Sequence, residues 1–281
     1  MTITVNNGNN PVYAADFDDL IKEVFGFSFE PWIARGLWDE RYESYSIIEN
    51  GKMLANVCIF KTDMIICGKP TRAHQFGAVA TRASERGKGL SRLLMNHVLD
   101  KYPDTLAFLA ANPSVTGFYP NFGFMPIQTY RPIMDVEINN PTERAQKCSP
   151  EDEILRKALY GKRIYSNLVD SVNTQPIQLF HFIMNEDYEN SIYFLPGCGA
   201  IVVATQIDCT LLLSDVISAK PLTFDQLIKE LPFSGVKRVE FGFCPDWLGI
   251  APRWKALDEP YFIRGSWNLP EYFRFPALSE T

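Results

Sequence analysis

The sequence predicts an α/β protein with two units, each built from a mixed, mostly antiparallel twisted sheet with flanking helices. Three observations support this fold class. Asn50 and Gly51 stand between two apolar runs, which is typical of a hairpin turn. A strand at 73–81 leads through a basic, glycine-containing turn into a helix at 90–99. The order strand, strand, strand, helix, strand recurs between residues 191 and 243, which predicts a diverged duplicate.

The first unit contains the clearest local signals. Apolar residues recur at helical spacing behind an acidic first turn at 16–25, and Gly26 ends that helix. The aromatic and acidic segment 27–45 has no clean period and is predicted to be short helix and loop. The remaining predicted elements are strands at 45–48, 53–60, 64–67 and 73–81, a helix at 90–99, a strand at 105–110, a short helix at 113–121, and strands at 124–130 and 133–138.

A polar, proline-flanked stretch at 139–150 separates the two units, so we predict domains at 1–140 and 150–281. Thr223 and Gln226 have the spacing of a capping box at the start of a helix. The predicted elements of the second unit are a helix at 152–159, strands at 191–195, 200–205 and 210–213, a helix at 224–231 and a strand at 236–243.

Composition and charge narrow the possible functions. Hydrophobic residues make up 46% and charged residues 21% of the 281 residues, near the averages for globular proteins. The net charge of −6 argues against a nucleic-acid surface. No apolar run is long enough to span a bilayer and the first residues lack signal-peptide features, so we expect a cytoplasmic protein without a membrane partner. The six cysteines are scattered and the three histidines lie far apart, which predicts free thiols and no metal site.

The turn before the helix at 90–99 has the features of a phosphate-binding site. A glycine-containing turn that passes straight into a helix leaves unpaired backbone N–H groups at the positive end of the helix dipole. The glycines let a phosphate approach the backbone closely, and the basic side chains add positive charge. A pyrophosphate is therefore the predicted ligand. The turn consists of Arg86, Gly87, Lys88, Gly89, Leu90 and Ser91.

These residues resemble the fingerprint of the GCN5-related N-acetyltransferase (GNAT) family, R/Q-x-x-G-x-G/A, which lies between the fourth strand and third helix of that fold. The last position is Ser91 here instead of Gly or Ala. The family also has an Asn after the fifth strand and a helix that bears Tyr and ends in Gly-Phe. Asn112, Tyr119 and the pair 123–124 match this second feature. The resemblance covers residues 1–138 and implies the GNAT fold for the first unit.

The resemblance implies acetyl-CoA as the acyl donor. Members of the family bind the coenzyme along the fourth strand and at the turn. Tyr119 lies where the family places a hydroxyl near the coenzyme sulfur, where it would protonate the departing thiolate. A core tyrosine flanked by Phe118 and Phe122 is the alternative interpretation. The residues assigned to the coenzyme are Ala78, Val79, Thr81, Arg86, Gly87, Lys88, Gly89, Leu90, Ser91 and Asn112.

The sequence does not identify the base that takes a proton from the amine. Some family members use a glutamate on the fourth strand, and the matching residue here is Gln75, whose amide cannot accept a proton in this way. A water chain, His74 or a carboxylate of the segment 27–45 remain as alternatives. Strand alternation predicts that His74 and Gln75 face opposite sides of the sheet. The carboxylates considered are Asp39, Glu40 and Glu43.

The segment 27–45 lies where the family builds its acceptor pocket. Its aromatic rings would hold an apolar or cationic amine, with a carboxylate as counter-charge. Packing of these rings between helices and the sheet is an equally good interpretation. The acceptor would be a small-molecule or peptide amine. The predicted acceptor contacts are Trp32, Trp38, Asp39, Tyr42 and Gln75.

The corresponding turn of the second unit, 215–221, has no glycine and begins with an aspartate, so we expect no second coenzyme site. An intact first unit followed by a decayed second one resembles the tandem acetyltransferases, including members that acetylate aminoglycosides. The aromatic tail at 265–276 is expected to pack on a domain or to line the acceptor cleft. We predict an N-acyltransferase that moves an acetyl group from acetyl-CoA to an amine by direct attack. Transfer of a longer acyl chain and a non-catalytic acyl-CoA sensor or structural protein are the alternatives.

Overall fold

Two mixed sheets with flanking helices form the body of the protein. The structure, a computed structural model, describes residues 2–281 except 7, 142, 143, 163, 173, 186, 187 and 189. The described α-helices are α1 (Pro11–Phe25), α2 (Glu30–Ala34), α3 (Leu90–Lys101), α4 (Glu153–Gly161), α5 (Gln175–Met184) and α6 (Phe224–Ile228). The strands are β1 (Ile3–Asn6), β2 (Tyr42–Glu49), β3 (Lys52–Ile66), β4 (Lys69–Thr81), β5 (Leu106–Ala110), β6 (Met125–Ile127), β7 (Tyr130–Ile138), β8 (Gln146–Lys147), β9 (Val169–Val172), β10 (Ile192–Leu195), β11 (Ala200–Ile207), β12 (Thr210–Ile217), β13 (Val236–Phe241), β14 (Arg253–Ala256) and β15 (Tyr261–Arg264).

Each sheet contains one parallel strand pair joined by a helix. The first sheet has the strand order β1-β2-β3-β4-β5-β15-β6, with β9 paired to β3, and the second has the order β14-β7-β13-β12-β11-β10-β8. The parallel pairs are β4 with β5, connected through α3, and β12 with β13, connected through α6. The other described pairs are antiparallel. The predicted mixed, mostly antiparallel fold is confirmed, and the repeated β-α-β crossover agrees with a duplicated unit.

The two sheets exchange strands. β7 is the last strand of the first unit in sequence but pairs with β13 and β14 in the second sheet. β15 comes from the end of the second half and inserts between β5 and β6 of the first sheet. β9 also belongs to the second half and pairs with β3. The domain limits 1–140 and 150–281 stay a prediction, but the strands are not divided between the sheets at that boundary.

The predicted local elements of the first unit are present with changed ends. The first helix begins at Pro11, earlier than predicted, because the Asn10 side chain caps its first turn. Two neighbouring predicted strands form one long strand, β3. The helix predicted at 113–121 is instead two 3-10 turns, Pro113–Val115 and Tyr119–Phe122. A proline near the start of each turn restricts it to a short segment.

A cleft opens where β4 and β5 separate. Their parallel ladder ends at Gln75 and Phe108. On its other edge, β4 pairs with β3, and the register shifts between Asn56 and Cys58, which marks a bulge in β4. Ala78 within the bulge has a left-handed φ of 45°, and its carbonyl accepts a hydrogen bond from the Asn56 amide at 3.0 Å. The bulge and the short ladder together bend β4 away from β5.

Helices cover both faces of the first sheet. Val57 and Cys58 are neighbours on β3, yet Val57 packs with α3 and Cys58 packs with α1. Because adjacent strand residues point to opposite faces, α3 and α1 lie on opposite sides of the sheet. α2 and α5 lie on the α1 side, since Trp32 and Ile177 belong to the same buried cluster as α1. Of the helices described, none is long and apolar enough to cross a membrane.

Candidate active site

The turn between β4 and α3 leaves a helix end open to a ligand. Gly87 and Gly89 have left-handed φ values of 81° and 79°, and a Cβ at either position would meet no atom within 4 Å. Gly89 is the N-cap residue of α3, and the first N–H bonded along the helix is that of Leu93, which donates to the Gly89 carbonyl at 3.0 Å. The N–H groups of the first turn therefore have no partner within the helix, as an anion site at a helix start requires.

The turn is tied to the end of β4 by side chains of the predicted fingerprint. The hydroxyls of Thr81 and Ser91 lie 2.6 Å apart, so the serine that replaces the family Gly or Ala joins strand to helix. Arg86 Nε donates to the Thr81 carbonyl at 3.4 Å. The Arg86 and Lys88 side chains are exposed, and Lys88 pairs with Glu85 at 2.8 Å. Positive charge thus borders the open helix end.

Arg82, which was not predicted from the sequence as a site residue, anchors the same turn. Its Nε donates to the Met53 carbonyl at 2.7 Å, and its guanidinium pairs with Asp19 at 2.6 Å and Glu23 at 2.5 Å. The side chain is buried, which arginine tolerates only when it is fully paired. Arg82 therefore fixes β4 to β3 and α1 at once. The sequence signal was the spacing of Asp19 and Glu23, one helical turn apart on α1.

A cavity of about 240 Å³ occupies the cleft between β4 and β5. Three residues assigned to the coenzyme line it, namely Ala78, Val79 and Asn112, and so does the predicted catalytic residue Tyr119. Asn112 Oδ1 accepts hydrogen bonds from the Ser114 backbone N–H at 2.9 Å and hydroxyl at 2.8 Å, which fixes the turn after β5. The cleft therefore brings the strand before the fingerprint together with the Asn-to-Tyr segment, whereas residues 86–91 are not among the described lining residues.

Tyr119 has a packed ring and an unpaired hydroxyl. Its ring contacts Phe118, Phe124 and Phe262, with ring centroids 5.4, 6.2 and 5.8 Å apart. Among the described residues, no group hydrogen-bonds to its hydroxyl. Burial raises the pKa of this phenol, so the hydroxyl holds its proton at neutral pH. The ring packs in the core, as expected for the alternative interpretation. The hydroxyl, in contrast, is free to donate a proton.

Most side chains predicted to contact the acceptor instead pack or stabilise the fold. The indole N–H of Trp32 donates to a main-chain carbonyl of α5 at 2.8 Å, and that of Trp38 donates to the Tyr42 carbonyl at 2.7 Å. Asp39 pairs with Arg41 at 2.6 Å. Within the described part of the chain, Tyr42 lines the cavity and the other three do not. The polar groups of Trp32, Trp38 and Asp39 thus already have partners within the protein, and their acceptor role stays a prediction.

Glu43 and His74, two of the groups considered as a base, are not among the described residues that line the cavity. Burial alone would raise the pKa of Glu43, but hydrogen bonds from Lys61, Tyr45 and Tyr102 lower it to about 2. Burial lowers the pKa of His74 to about 4, and its ring packs edge-on against Tyr102 at 4.5 Å. Both groups are therefore weak bases that lie outside the described lining of the cavity.

Two buried polar side chains near the end of the β4–β5 ladder have no hydrogen-bond partner among the described residues. They are the amide of Gln75 and the hydroxyl of Thr281. Thr281 packs against Gly77, and strand alternation places Gln75 and Gly77 on the same face of β4. Gln75 itself is not among the described lining residues, and its acceptor contact stays a prediction. Unpaired buried polar groups are uncommon and often mark sites for water or a ligand.

The second half of the chain also lines the cavity, through residues that were not predicted from the sequence. Ile177 and Phe180 from α5, together with Thr281, lie opposite β4. From the segment 27–45, Phe27 and Phe29 contribute instead of the tryptophans. No local pattern identifies Phe180 or Thr281, because each is far in sequence from the β4 residues with which it lines the cavity.

The equivalent place in the second sheet is filled by protein. Asp215, at the start of the corresponding turn, is buried in an ion pair. The predicted capping box is confirmed, since Thr223 and Gln226 exchange hydrogen bonds at 3.3 and 2.9 Å and satisfy the start of α6. Beyond the β12–β13 ladder, the N–H of Ala277 donates to the Gly242 carbonyl at 2.8 Å. The tail thus hydrogen-bonds to the segment that follows β13 in the second sheet.

The chain has the GNAT fold. Residues 12–127 match the family model described as an acetyltransferase (GNAT) domain. No curated protein sequence matches the chain.

The chain with both its sheets is similar to several solved structures. A protein of unknown function from Enterococcus faecalis V583, described as a probable N-acyltransferase, has a TM-score of 0.61 and 15% identity, with 94% of this chain and 73% of that chain covered. A GCN5-related N-acetyltransferase from Kribbella flavida has a TM-score of 0.56 and 15% identity, with 93% and 70% covered. Eis1 from Mycobacterium abscessus has a TM-score of 0.55 and 12% identity, with 94% and 73% covered. These likenesses show the fold alone.

Proposed function

We propose that the protein is a cytoplasmic N-acetyltransferase that moves an acetyl group from acetyl-CoA to a small-molecule or peptide amine by direct attack. The observation that carries this proposal is the cleft where β4 and β5 separate, with Tyr119 in its wall and the phosphate-binding turn directly after β4. The GNAT domain at 12–127 supports the reaction class.

The residues of the turn fit a pyrophosphate. Open space surrounds the Cα atoms of Gly87 and Gly89 on the side where a Cβ would lie, and the first turn of α3 offers its N–H groups. Arg86 and Lys88 would add charge-assisted contacts. The main chain of Ala78 and Val79 would hold the pantetheine arm within the cleft. The coenzyme supplies the thioester carbonyl that the amine attacks.

The reaction requires one proton to leave the amine and one to reach the thiolate. A bond forms between the amine nitrogen and the thioester carbonyl carbon, and the C–S bond breaks. Tyr119, protonated at neutral pH, donates to the sulfur as it gains charge. We assign removal of the amine proton to water, because the described cavity residues include no carboxylate or imidazole side chain.

Release of free CoA thiol from acetyl-CoA in the presence of a panel of primary amines tests the proposal. We expect release that depends on the amine, and loss of coenzyme binding by calorimetry in Gly89→Glu. Gly249→Glu is a matched control, since Gly249 has a similar left-handed φ of 72° in open surroundings in the second half of the chain. Binding of acetyl-CoA without thiol release from any amine would support the sensor instead. Unchanged affinity in Gly89→Glu would show that the coenzyme binds elsewhere.

A further inference from the structure

Four phenylalanine rings form a continuous ladder from the surface into the cavity. Phe25 and Phe27 are 45% and 42% exposed, whereas Phe29 is 7% exposed. The ring centroids of Phe25 and Phe27 lie 6.1 Å apart, those of Phe27 and Phe29 lie 5.5 Å apart, and those of Phe29 and Phe180 lie 4.8 Å apart. All four rings line the cavity. We call them the phenylalanine ladder.

The phenylalanine ladder lies on the side of the sheet where an acceptor would enter. Phe25 ends α1, Phe29 precedes α2, and Phe180 belongs to α5, and these helices cover one face of the first sheet. Tyr119 and the start of α3 belong to the cluster on the opposite face. A group bound on the ladder therefore approaches the cleft from the side opposite the phosphate-binding turn.

The side chains of the cavity wall provide no compensating charge for a polycation. None of the described side chains that line it is acidic or basic. Burial of a second ammonium group without a counter-charge would be costly, whereas an aromatic group gains ring contacts beyond the burial of its area. An apolar cavity of about 150 Å³ accepts a benzene ring. The observed volume of about 240 Å³ exceeds that of such a benzene-sized cavity.

We propose that the acceptor is a monoamine with an aromatic or similarly compact apolar group, which binds on the phenylalanine ladder while its nitrogen points toward β4. This inference rests on the proposed acetyl transfer, because it names the acceptor of that reaction. The unpaired hydroxyl of Thr281 lies on the ladder side beside Gly77, where it can accept a hydrogen bond from the amine.

Three amines separate the effects of ring and charge. With the full chain and acetyl-CoA, we expect 2-phenylethylamine to have a KM at least about tenfold below that of n-butylamine, and 1,4-diaminobutane to have a KM above both. Phe27→Ala should raise the KM for 2-phenylethylamine about tenfold and leave the affinity for acetyl-CoA unchanged. Phe27 is partly exposed, so this variant should keep the fold; melting temperature verifies that. Val12→Ala, at the other end of α1 and 78% exposed, is the matched control.

Direct binding distinguishes this inference from the proposed function. If calorimetry shows that 2-phenylethylamine binds and that Phe27→Ala weakens binding, while no amine releases thiol, the ladder assignment holds and the transferase proposal fails. Equal or better use of 1,4-diaminobutane would overturn the ladder assignment alone. So would an affinity gain for octanoyl-CoA over acetyl-CoA that Phe27→Ala removes, because the ladder would then bind the acyl chain. Phe180→Ala repeats the test from the opposite wall.

Discussion

Thr281 lies so close to Gly77 that the strand has no room for a side chain at this position. A Cβ on Gly77 would fall 2.7 Å from the Thr281 Oγ1 and 3.2 Å from its main-chain oxygen. Both residues line the cavity, one from β4 and the other from the tail. The contact thus joins β4, the strand that would hold the coenzyme, to a tail that is distant in sequence.

Gly77→Ala should move Thr281 and damage the acceptor side of the cleft. Overpacking of this kind costs about 1–3 kcal/mol, and displacement of Thr281 would relieve it. We expect kcat/KM for the amine to fall about tenfold or more, with a smaller change in acetyl-CoA affinity. Steady-state kinetics and calorimetry measure the two effects. Gly161→Ala, where a Cβ meets no atom within 4 Å, should leave both values unchanged. Normal amine kinetics in Gly77→Ala would remove Thr281 from the site.

Tyr119→Phe should lower kcat and leave acetyl-CoA affinity nearly intact. The ring contacts with Phe118, Phe124 and Phe262 remain, and the hydroxyl acts only as the sulfur gains charge. A general acid contributes about a hundredfold to ten-thousandfold. A thiol of pKa near 8.5 is already a tolerable leaving group, so we expect the lower end, about a hundredfold. Turnover equal to that of the parent protein, at unchanged melting temperature, would leave Tyr119 with a packing role only.

One coenzyme should bind each chain at saturation. The start of α3 is open, whereas the start of α6 is satisfied by the Thr223 and Gln226 capping box. Ala277 also fills the space beside Gly242 in the second sheet. Calorimetric titration with CoA gives the stoichiometry directly. Two molecules per chain would contradict this interpretation, and loss of all binding in Gly89→Glu would place the single site at α3.

The contribution of Glu280 to the stability of the protein should fall as pH rises from about 5 to 7. Burial raises the pKa of this carboxyl to about 7, against hydrogen bonding from Tyr261 and the charge of Arg274. In this window the folded chain keeps a proton that the unfolded chain releases, so the free energy of unfolding decreases with pH and levels off above 7. The contribution is at most about 1.4 kcal/mol per pH unit.

Glu280→Gln isolates that contribution. The amide oxygen can still accept from Tyr261, but it does not titrate. Melting temperatures of both proteins are measured in parallel. The melting temperature of the variant minus that of the parent protein should be larger at pH 8 than at pH 5. Burial also raises the pKa of Asp170, to about 6, so the comparison uses the difference between the two proteins at each pH. A difference that does not vary with pH would show that Glu280 titrates normally.

The sequence predicts the local parts of the site well and its long-range parts poorly. The turn at Gly87 and Gly89 and the helix that follows were predictable because neighbouring residues encode them. The role of Trp32 was not, because its indole partner is a carbonyl of α5, far along the chain. The same holds for Phe180, which meets Phe29 only in the folded protein. Patterns of neighbouring residues predict helices and strands, whereas tertiary packing determines which aromatic rings line a cavity.

The strand exchange also constrains how the chain can fold during synthesis. β15 is synthesised after every other strand, yet it lies in the interior of the first sheet between β5 and β6. While a ribosome is still making the second half, the edge of β5 that β15 will cover lacks its partner, which exposes it to pairing with other chains. The first sheet can be completed only after residue 264 has been synthesised. Its structure therefore depends on the half of the chain that is made last.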